Sequence, residues 1–365
     1  MSLQHFIKRA VSEWMRVKGP QSDIVFSSRV RVARNLFGYP FPLLSTASQA
    51  EEVVNQFDQA WRKMKNQYPL LKNAELIRMQ DLSDLQKRVL VEKHLISPQL
   101  AEESQYGAVL LSQDESISIM INEEDHIRIQ CLFPGLQLRE AWKIANELDD
   151  LIESYLPLAF DEKRGYLTSC PTNVGTGIRA SVMVHLPALA MIQQLNQLFP
   201  AITQVGLAVR GIYGEGSEAL GQLYQVSNQI TLGQSEEEII DKLQGVVRQI
   251  IEHEQSARER LREMSMIQLE DRVCRSYGQL AFARVIDSRE AMNYLSDVRL
   301  GIDMGLIPGV SANVMNELMV MIQPGFLQQY ANQRLGPSER DVRRASMIRE
   351  RLSMEKNPND LHDKS

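Results

Sequence analysis

Residues 106–132, YGAVLLSQDESISIMINEEDHIRIQCL, hold three β-rich runs in close succession. They are Tyr106–Leu111, Ser116–Ile121 and Ile127–Leu132, and Gln113-Asp114-Glu115 joins the first two as a hairpin turn. Two further runs of this kind are Ile202–Val209 and Leu223–Leu232. Helical periodicity marks residues 46–67, 83–94, 139–156 and 180–198. Strands paired through hairpins, with helices between the groups, predict an α/β fold of the α+β kind: a largely antiparallel sheet flanked by helices. Beyond about residue 235 the strand signal disappears. Glu236–Met264, Asp271–Tyr294 and Pro337–Ser353 read as helices, and Pro337 suits a first helical turn. The expected division is therefore a sheet domain over 1–255 and a helical domain over 256–365, ending in a polar, frayed tail. At the other end Phe6, Ala10, Trp14 and Val17 share one helical face, as in a docking helix.

A chain of 365 residues with 44% hydrophobic and 24% charged residues has the composition of a globular protein with room for two cores. A net charge of −6 argues against direct nucleic-acid binding and gives no reason to invoke a membrane surface. No apolar run reaches the length of a membrane span. The three cysteines, Cys131, Cys170 and Cys274, form no CxxC pair, which points to neither a disulfide framework nor a zinc site, and to a reducing cytoplasm.

Four polar constellations carry chemistry. In Ser27-Ser28-Arg29-Val30-Arg31-Val32-Ala33-Arg34-Asn35, alternation puts Arg29 and Arg31 on one face of an extended segment, opposite Val30 and Val32. Two facing arginines repel unless they share an anion. Asn122-Glu123-Glu124-Asp125-His126-Ile127-Arg128 sets three carboxylates after an apolar run, either as a solvated turn or as a site for a cation. Cys170-Pro-Thr-Asn-Val-Gly-Thr-Gly-Ile-Arg-Ala180 combines a thiol, two glycines and Arg179, and runs into an apparent helix start that would favour an anion. A thiol beside such groups tends toward the thiolate. Arg210-Gly211-Ile212-Tyr213-Gly214-Glu215-Gly216 is a glycine-rich loop at a strand end, bracketed by an arginine and a carboxylate. Together they supply Arg29, Arg31, Arg128, Arg179 and Arg210 for a polyphosphate, with Glu124 and Glu215 left for something cationic. No P-loop and no eukaryotic protein-kinase element is present, so an ATP site must be of another type.

In these four segments the chain resembles the phosphagen kinases, whose signature has the form C-P-[ST]-N-x-G-T-G. Further family blocks resemble S-S-R-V-R, N-E-E-D-H-[IL]-R and R-G-x-x-G-E here, over about residues 20–230. One departure is that S-S-R-V-R begins at Ser27, with no space before it for the small helical domain of that family. This predicts an open site that admits a larger substrate. The other departure is the helical C-terminus. It carries Arg340-Asp341-Val342-Arg343-Arg344-Ala345, which is similar to the R-D-x-x-R-A motif of bacterial protein arginine kinases.

The resemblance implies transfer of the γ-phosphoryl group of ATP, with Mg²⁺ bridging its phosphates, to a guanidino nitrogen of a protein arginine. Glu124 would be the catalytic base, Glu215 a second guanidinium clamp and Cys170 an orienting anion. Nucleotide contacts would come from Ser27, Ser28, Arg29, Val30, Arg31, Arg128, Arg179, Ala180, Ser181, Val182, Met183, Arg210, Gly211, Ile212, Tyr213, Gly214 and Glu215, and from His94. Arg340, Asp341, Arg344 and Ala345 would form an allosteric phosphoarginine pocket. Implied partners are proteins with exposed arginines (misfolded proteins and a heat-shock repressor), an activator protein, a Clp-type ATPase and a second copy in a homodimer. Three alternatives stand beside this: a free-arginine kinase, a non-catalytic phosphoarginine reader, and a hydrolase or acyltransferase using Cys170 with His126 or His185 as base.

Overall fold

The computed structural model describes residues 4–9, 11–211 and 220–356. Its strands are β1 (Val25–Arg34), β2 (Glu75–Arg78), β3 (Ala108–Leu111), β4 (Ile117–Ile121), β5 (Ile127–Pro134), β6 (Phe160–Asp161), β7 (Gly165–Tyr166), β8 (Ile178–His185), β9 (Leu207–Gly211) and β10 (Leu223–Asn228). Eight of them form one sheet in the order β2-β3-β4-β5-β1-β8-β10-β9, and every neighbouring pair is antiparallel. The hairpin read at residues 106–132 is present as β3, β4 and β5. Its first turn is held by Asp114, whose carboxylate accepts from the hydroxyls of Ser112 and Ser116 and from the Ser116 amide.

The helices are α1 (Gln4–Lys8), α2 (Glu13–Arg16), α3 (Ala47–Met64), α4 (Asp84–Glu92), α5 (Pro98–Glu102), α6 (Leu138–Glu153), α7 (Pro187–Met191), α8 (Leu195–Gln204), α9 (Glu236–Phe282), α10 (Ser288–Asp303), α11 (Ala312–Met321), α12 (Pro324–Ala331) and α13 (Pro337–Lys356). One face of the sheet is apolar. Val30, Val32, Ile119, Ile129, Cys131, Ala180, Val182 and Val226 are buried on it with residues of α3, α6 and α9, forming the largest core. The other face is covered only toward its ends. Val109, Leu111 and Met120 pack under Leu90, Leu95 and Leu100 at one end, while Leu223 and Phe26 meet the C-terminal helices at the other. A polar strip remains between them.

Four expectations need correction. Residues 180–198 are not one helix: Ile178–His185 is strand β8, and α7 and α8 follow it. In β8, Ile178, Ala180, Val182 and Val184 enter the core while Arg179 and Met183 do not, which is a period of two. The anion site expected at a helix start after Gly177 is therefore absent, and β-strand backbone follows that glycine instead. Second, Ile202–Gln204 finishes α8, so the strand expected over 202–209 begins only at Leu207. Third, the helix expected over Asp271–Tyr294 is divided, although the parting expected near residue 264 is present: two helical stretches of α9 meet at a kink at Ser265. The expected helix Asp271–Tyr294 spans the end of α9, a break, and the start of α10 at its N-cap Asp287. The N-terminal segment is two short helices in place of one, with Phe6 buried and Val17 exposed, while Ala10 lies outside the described residues.

Helix α9 passes through residue 255 without interruption. It starts at a capping box in which Ser235 accepts from the Glu238 amide and Glu238 returns a bond to the Ser235 amide. Glu236, Glu237 and Glu238 add favourable charge to its first turn. Ser235→Ala will lower stability by about 1 kcal/mol, read as a smaller midpoint in urea. An unchanged midpoint would show that the cap contributes nothing. Deeper in the same helix, the Glu254 carboxylate accepts from the Ala188 and Leu189 amides and from Arg258. It thereby joins α7 to the long helix.

Candidate active site

Directly paired residues of antiparallel strands point to the same side of a sheet. Arg31 pairs with Arg179 of β8 and Gln130 of β5, Ala33 pairs with Arg128, and Arg29 pairs with Ser181. Through β10, Gln225 pairs with both Met183 and Arg210. The register thus collects Arg29, Arg31, Arg128, Arg179 and Arg210 on the polar strip. Arg31, Arg128, Arg179 and Arg210 line one cleft of about 550 Å³ together with Glu124 and Cys170. Arg29 lines an adjoining cavity of about 90 Å³ with Ser27, His94, Ser181 and Met183.

Few anions answer this positive charge. Arg29 donates only to neutral groups, at 2.6 Å to Gln225 Oε1 and 3.3 Å to Ser181 Oγ. Burial, then Arg128 and Arg179, pull its guanidinium down to about 10. Burial and the charges of Arg29, Arg128 and Arg179 hold Arg31 well below its ordinary value, and its Nε is buried without a hydrogen-bond partner. Arg179 is lowered by burial and by Arg210. These groups stay protonated at neutral pH, so the lowered values reflect burial first and mutual repulsion second, and a bound polyanion would relieve the repulsion. Arg34 is different. It lies on the other face, where it donates to Asp149 at 2.5 Å and to the Thr176 carbonyl, and stacks on Tyr166.

Of the three adjacent carboxylates, one faces the cleft freely. Glu123 accepts from Ser97, Arg128 and the Glu124 amide, and its side chain is 1% exposed. Asp125 is fully buried and accepts from Asn35 and the Ser169 amide. Glu124 keeps a 32% exposed side chain, touched by Arg128 Nη2 at 2.6 Å. Burial opposes the charge of Arg128, yet Glu123, Glu124 and Asp125 together hold its pKa above the ordinary value. The turn at 123–125 is therefore clamped from behind, with a single carboxylate presented forward. Asn35 completes the clamp, donating to Asp125 and the Leu167 carbonyl while accepting from the His126 amide. Sequence reasoning quoted Asn35 at the end of its block without giving it a role.

Cys170 Sγ lies 3.0 Å from Thr172 Oγ1 at the mouth of the cleft. Neither candidate base serves it. The Leu36 amide donates to His126 Nδ1, leaving Nε2–H to donate to the Pro40 carbonyl. His185 is fully buried and bonds Ser296 Oγ. Gly175 and Gly177 adopt positive φ, as short-range backbone approach demands, but what they approach is protein: a Cβ on Gly177 would lie 2.6 Å from the Ala33 carbonyl oxygen. His94, next to Arg29, is lowered to about 4 by burial and then by that arginine, so it presents a neutral imidazole.

Other expected contacts divide. Val30, Ala180 and Val182 turn their side chains into the core, away from the arginines, because strand alternation sends them there. Only their backbone belongs to the strands that carry the arginines. Ser28 is fully buried, donating to the Gly135 carbonyl and accepting from the Gln137 amide, so its hydroxyl serves the fold. Arg210 and Gly211 end β9 beside the cleft, whereas Ile212, Tyr213, Gly214 and Glu215 lie outside the described residues. On α13, Arg344 is buried and donates to the Ile322 and Ile286 carbonyls and to Asp341, and Ala345 is packed in the helical core. Arg340 and Asp341 are half-buried. Arg343, not singled out from sequence, lies over the Tyr330 ring with its Nε buried and unpartnered. Among the described residues no group of three or more His, Cys, Asp or Glu side chains could hold a metal ion. No described helix is long and apolar enough to cross a membrane.

A row of half-buried and buried guanidiniums that ends at a carboxylate and a thiol can hold a polyphosphate beside an incoming cation. That chemistry is phosphoryl transfer to a guanidino group. A family model described as "ATP:guanido phosphotransferase, C-terminal catalytic domain" matches residues 52–257, and one described as "Protein-arginine kinase McsB C-terminal domain" matches residues 266–362. The chain belongs to the ATP:guanido phosphotransferase family, in its branch of bacterial protein-arginine kinases, and is an enzyme, a guanidino phosphotransferase. It is 62% identical over 355 residues to a protein-arginine kinase of Geobacillus sp. (strain WCH70), covering 97% of this chain and 98% of that one. It is 58% identical over 365 residues to a protein-arginine kinase of Bacillus subtilis (strain 168), covering 100% of both. Among solved structures, lombricine kinase superposes with a TM-score of 0.56 at 22% identity, covering 70% of this chain and 75% of that chain. The substrate-free duplicated taurocyamine kinase of Schistosoma mansoni gives 0.56 at 19% identity, covering 97% and 51%. At these identities the likeness to both is one of fold.

Proposed function

We propose that this enzyme transfers the γ-phosphoryl group of ATP to arginine side chains of proteins. The observation that carries the proposal is the single cleft in which Arg31, Arg128, Arg179 and Arg210 converge with Glu124 and Cys170. The full-length likeness to protein-arginine kinases supports protein as the acceptor. A guanidinium has a pKa above about 12 and no free lone pair. Glu124 would accept a proton from it, freeing a nitrogen to form the N–P bond as the P–O bond to ADP breaks. The arginines would hold the phosphates and stabilise the charge spread over the transferring group. Cys170 would orient the guanidinium without a covalent intermediate, and Glu215 would be its second clamp. The neutral His94, with Ser27, Ser181 and Met183, would contact the rest of the nucleotide.

Among the described residues Glu124 is the one carboxylate lining the cleft, a donor set that fits Mg²⁺ arriving on the nucleotide better than a resident ion in a protein cage. Mg²⁺ would supply further charge neutralisation on the phosphates.

The proposal extends to regulation. Residues 256–365 would form a helical domain following a 1–255 phosphotransferase domain, and Arg340, Asp341, Arg344 and Ala345 would read phosphoarginine allosterically. The match to the C-terminal family model supports this. Marking of misfolded proteins for a Clp-type protease, control of a heat-shock repressor, an activator protein, a homodimer and a cytoplasmic location rest on the motif resemblance alone.

The decisive experiment incubates the enzyme with Mg²⁺-ATP and an unstructured protein, then maps modified residues at neutral pH, because the P–N bond of phosphoarginine is acid-labile. Phosphate on arginine, with ADP formed in step, is the expected result. Phosphorylation confined to free L-arginine would transfer the enzyme to phosphagen storage. Cys170→Ala should retain activity reduced by about 10- to 100-fold, whereas a cysteine nucleophile would leave none.

A further inference from the structure

Beside the arginine cleft, and sharing Glu124 with it, lies a second cleft of about 470 Å³, within the size range of ligand sites. Its character is opposite. Among the described residues no lysine or arginine lines it, and its charged lining residues are Glu103, Glu123 and Glu124. Its rim carries apolar surface that the fold does not use. Of the lining residues, Leu43 is 91% exposed and Tyr106 is 38% exposed, and Leu44, next to Leu43 in the chain but outside the lining, is 74% exposed.

These leucines are held outward by a built loop. The Pro40 carbonyl accepts from His126 and from Ser45 Oγ, Tyr39 packs edge-on against His126, and Thr46 caps α3. The cleft walls are tied to the same turn that presents Glu124. Asn122 donates to the Ala50 and Tyr106 carbonyls, and Ser104 donates to the Asn122 carbonyl. A chain seated here would thus be placed relative to Glu124 without further rearrangement.

We propose that this second cleft binds the polypeptide flanking the acceptor arginine. It selects segments with a large apolar residue within two or three positions of that arginine, and it disfavours acidic neighbours. The proposal rests on the protein-arginine kinase reading and adds a substrate class to it. An ATP-derived anion is excluded as occupant by the cleft's glutamates, and continuity with Glu124 points to the chain that brings the guanidinium. Apolar residues next to arginine are accessible chiefly in unfolded segments, so the cleft would favour denatured polypeptide over folded surface.

The test uses peptides that share one central arginine and differ at the flanking positions, which carry Leu, Ser or Asp. The leucine peptide should exceed the serine peptide by about 10-fold in kcat/KM, mainly through KM, given partial burial of one such side chain. The aspartate peptide should fall below the serine peptide. In the double variant Leu43→Ser/Leu44→Ser the leucine advantage should shrink to about one, while the aspartate deficit persists and the melting temperature holds. Equal rates for leucine and serine peptides, or a leucine advantage that survives in the variant, would overturn the proposal. An unstructured protein is assayed in parallel. Phosphorylation of that protein without peptide discrimination defeats the cleft alone, and no arginine phosphorylation on any substrate defeats both readings.

Discussion

Glu124→Gln will lower arginine phosphorylation by about 10³- to 10⁴-fold while ATP affinity changes little. Glutamine keeps the shape and an oxygen to accept from Arg128 Nη2, which now lies 2.6 Å from the carboxylate. What it loses is the charge that attracts a guanidinium and the capacity to take its proton. The neighbours cannot substitute. Glu123 is spent on Ser97, Arg128 and a backbone amide, and Asp125 is buried behind the turn on Asn35 and Ser169. Single-turnover phosphorylation and calorimetric ATP binding on the same preparation separate chemistry from affinity. A variant within 10-fold of the parent would remove Glu124 as the base.

Arg31→Met will have effects of opposite sign on function and stability. Arg31 sits between Gln130 and Arg179 in register, half-buried among positive neighbours. Removing its charge takes away part of the phosphate site, and arginines in this role contribute about 10³-fold or more to phosphoryl transfer. Without ligand, the same half-buried charge stands among like charges that Glu123 only partly offsets. Replacing a desolvated, repelled charge by an apolar side chain of similar volume should stabilise the ligand-free fold. The ligand-free variant should therefore melt higher than the parent. Addition of Mg²⁺-ATP, which raises the parent's melting temperature by mass action, should barely move the variant. A lower ligand-free melting temperature together with a preserved ATP shift would show that Arg31 serves packing and not phosphate binding.

Local signals carried much of this site into the sequence. Arg29 and Arg31 are legible because alternation within one strand needs no partner, and the hairpin at 106–132 because its turn residues punctuate it. Strand β8 was not legible. An apolar run such as Ile178–His185 fits a helix or a strand, and the decision belongs to β1 and β10, which lie far away in sequence. Long-range contacts also sort the carboxylates at 123–125, since Asn35, Ser97 and Ser169 decide which of them stays free. Cofactor contacts expected at Val30, Ala180 and Val182 came from the family resemblance, and strand alternation leaves only their backbone on the arginine-bearing strands. The C-terminal helices α11 and α12 gave no usable signal: both are only eight to ten residues long and apolar in their buried stretches.

Helix α9 also bears on how the chain comes to life on the ribosome. Ile239, Ile240, Leu243, Val247, Ile250, Ile251 and Ala257 close the large core over β8 and β10, whereas α6 covers β1 and β5. Strand β8 ends at His185, well before α9 begins at Glu236 in the order of synthesis. At translation rates of about 5–20 residues per second, β8 would wait roughly 4–15 s for the whole of this cover. During that interval this half of the nascent sheet presents a bare apolar face and an open edge. Chaperone demand during synthesis should therefore track the emergence of residues 236–257, and translational pausing before them would prolong the hazard.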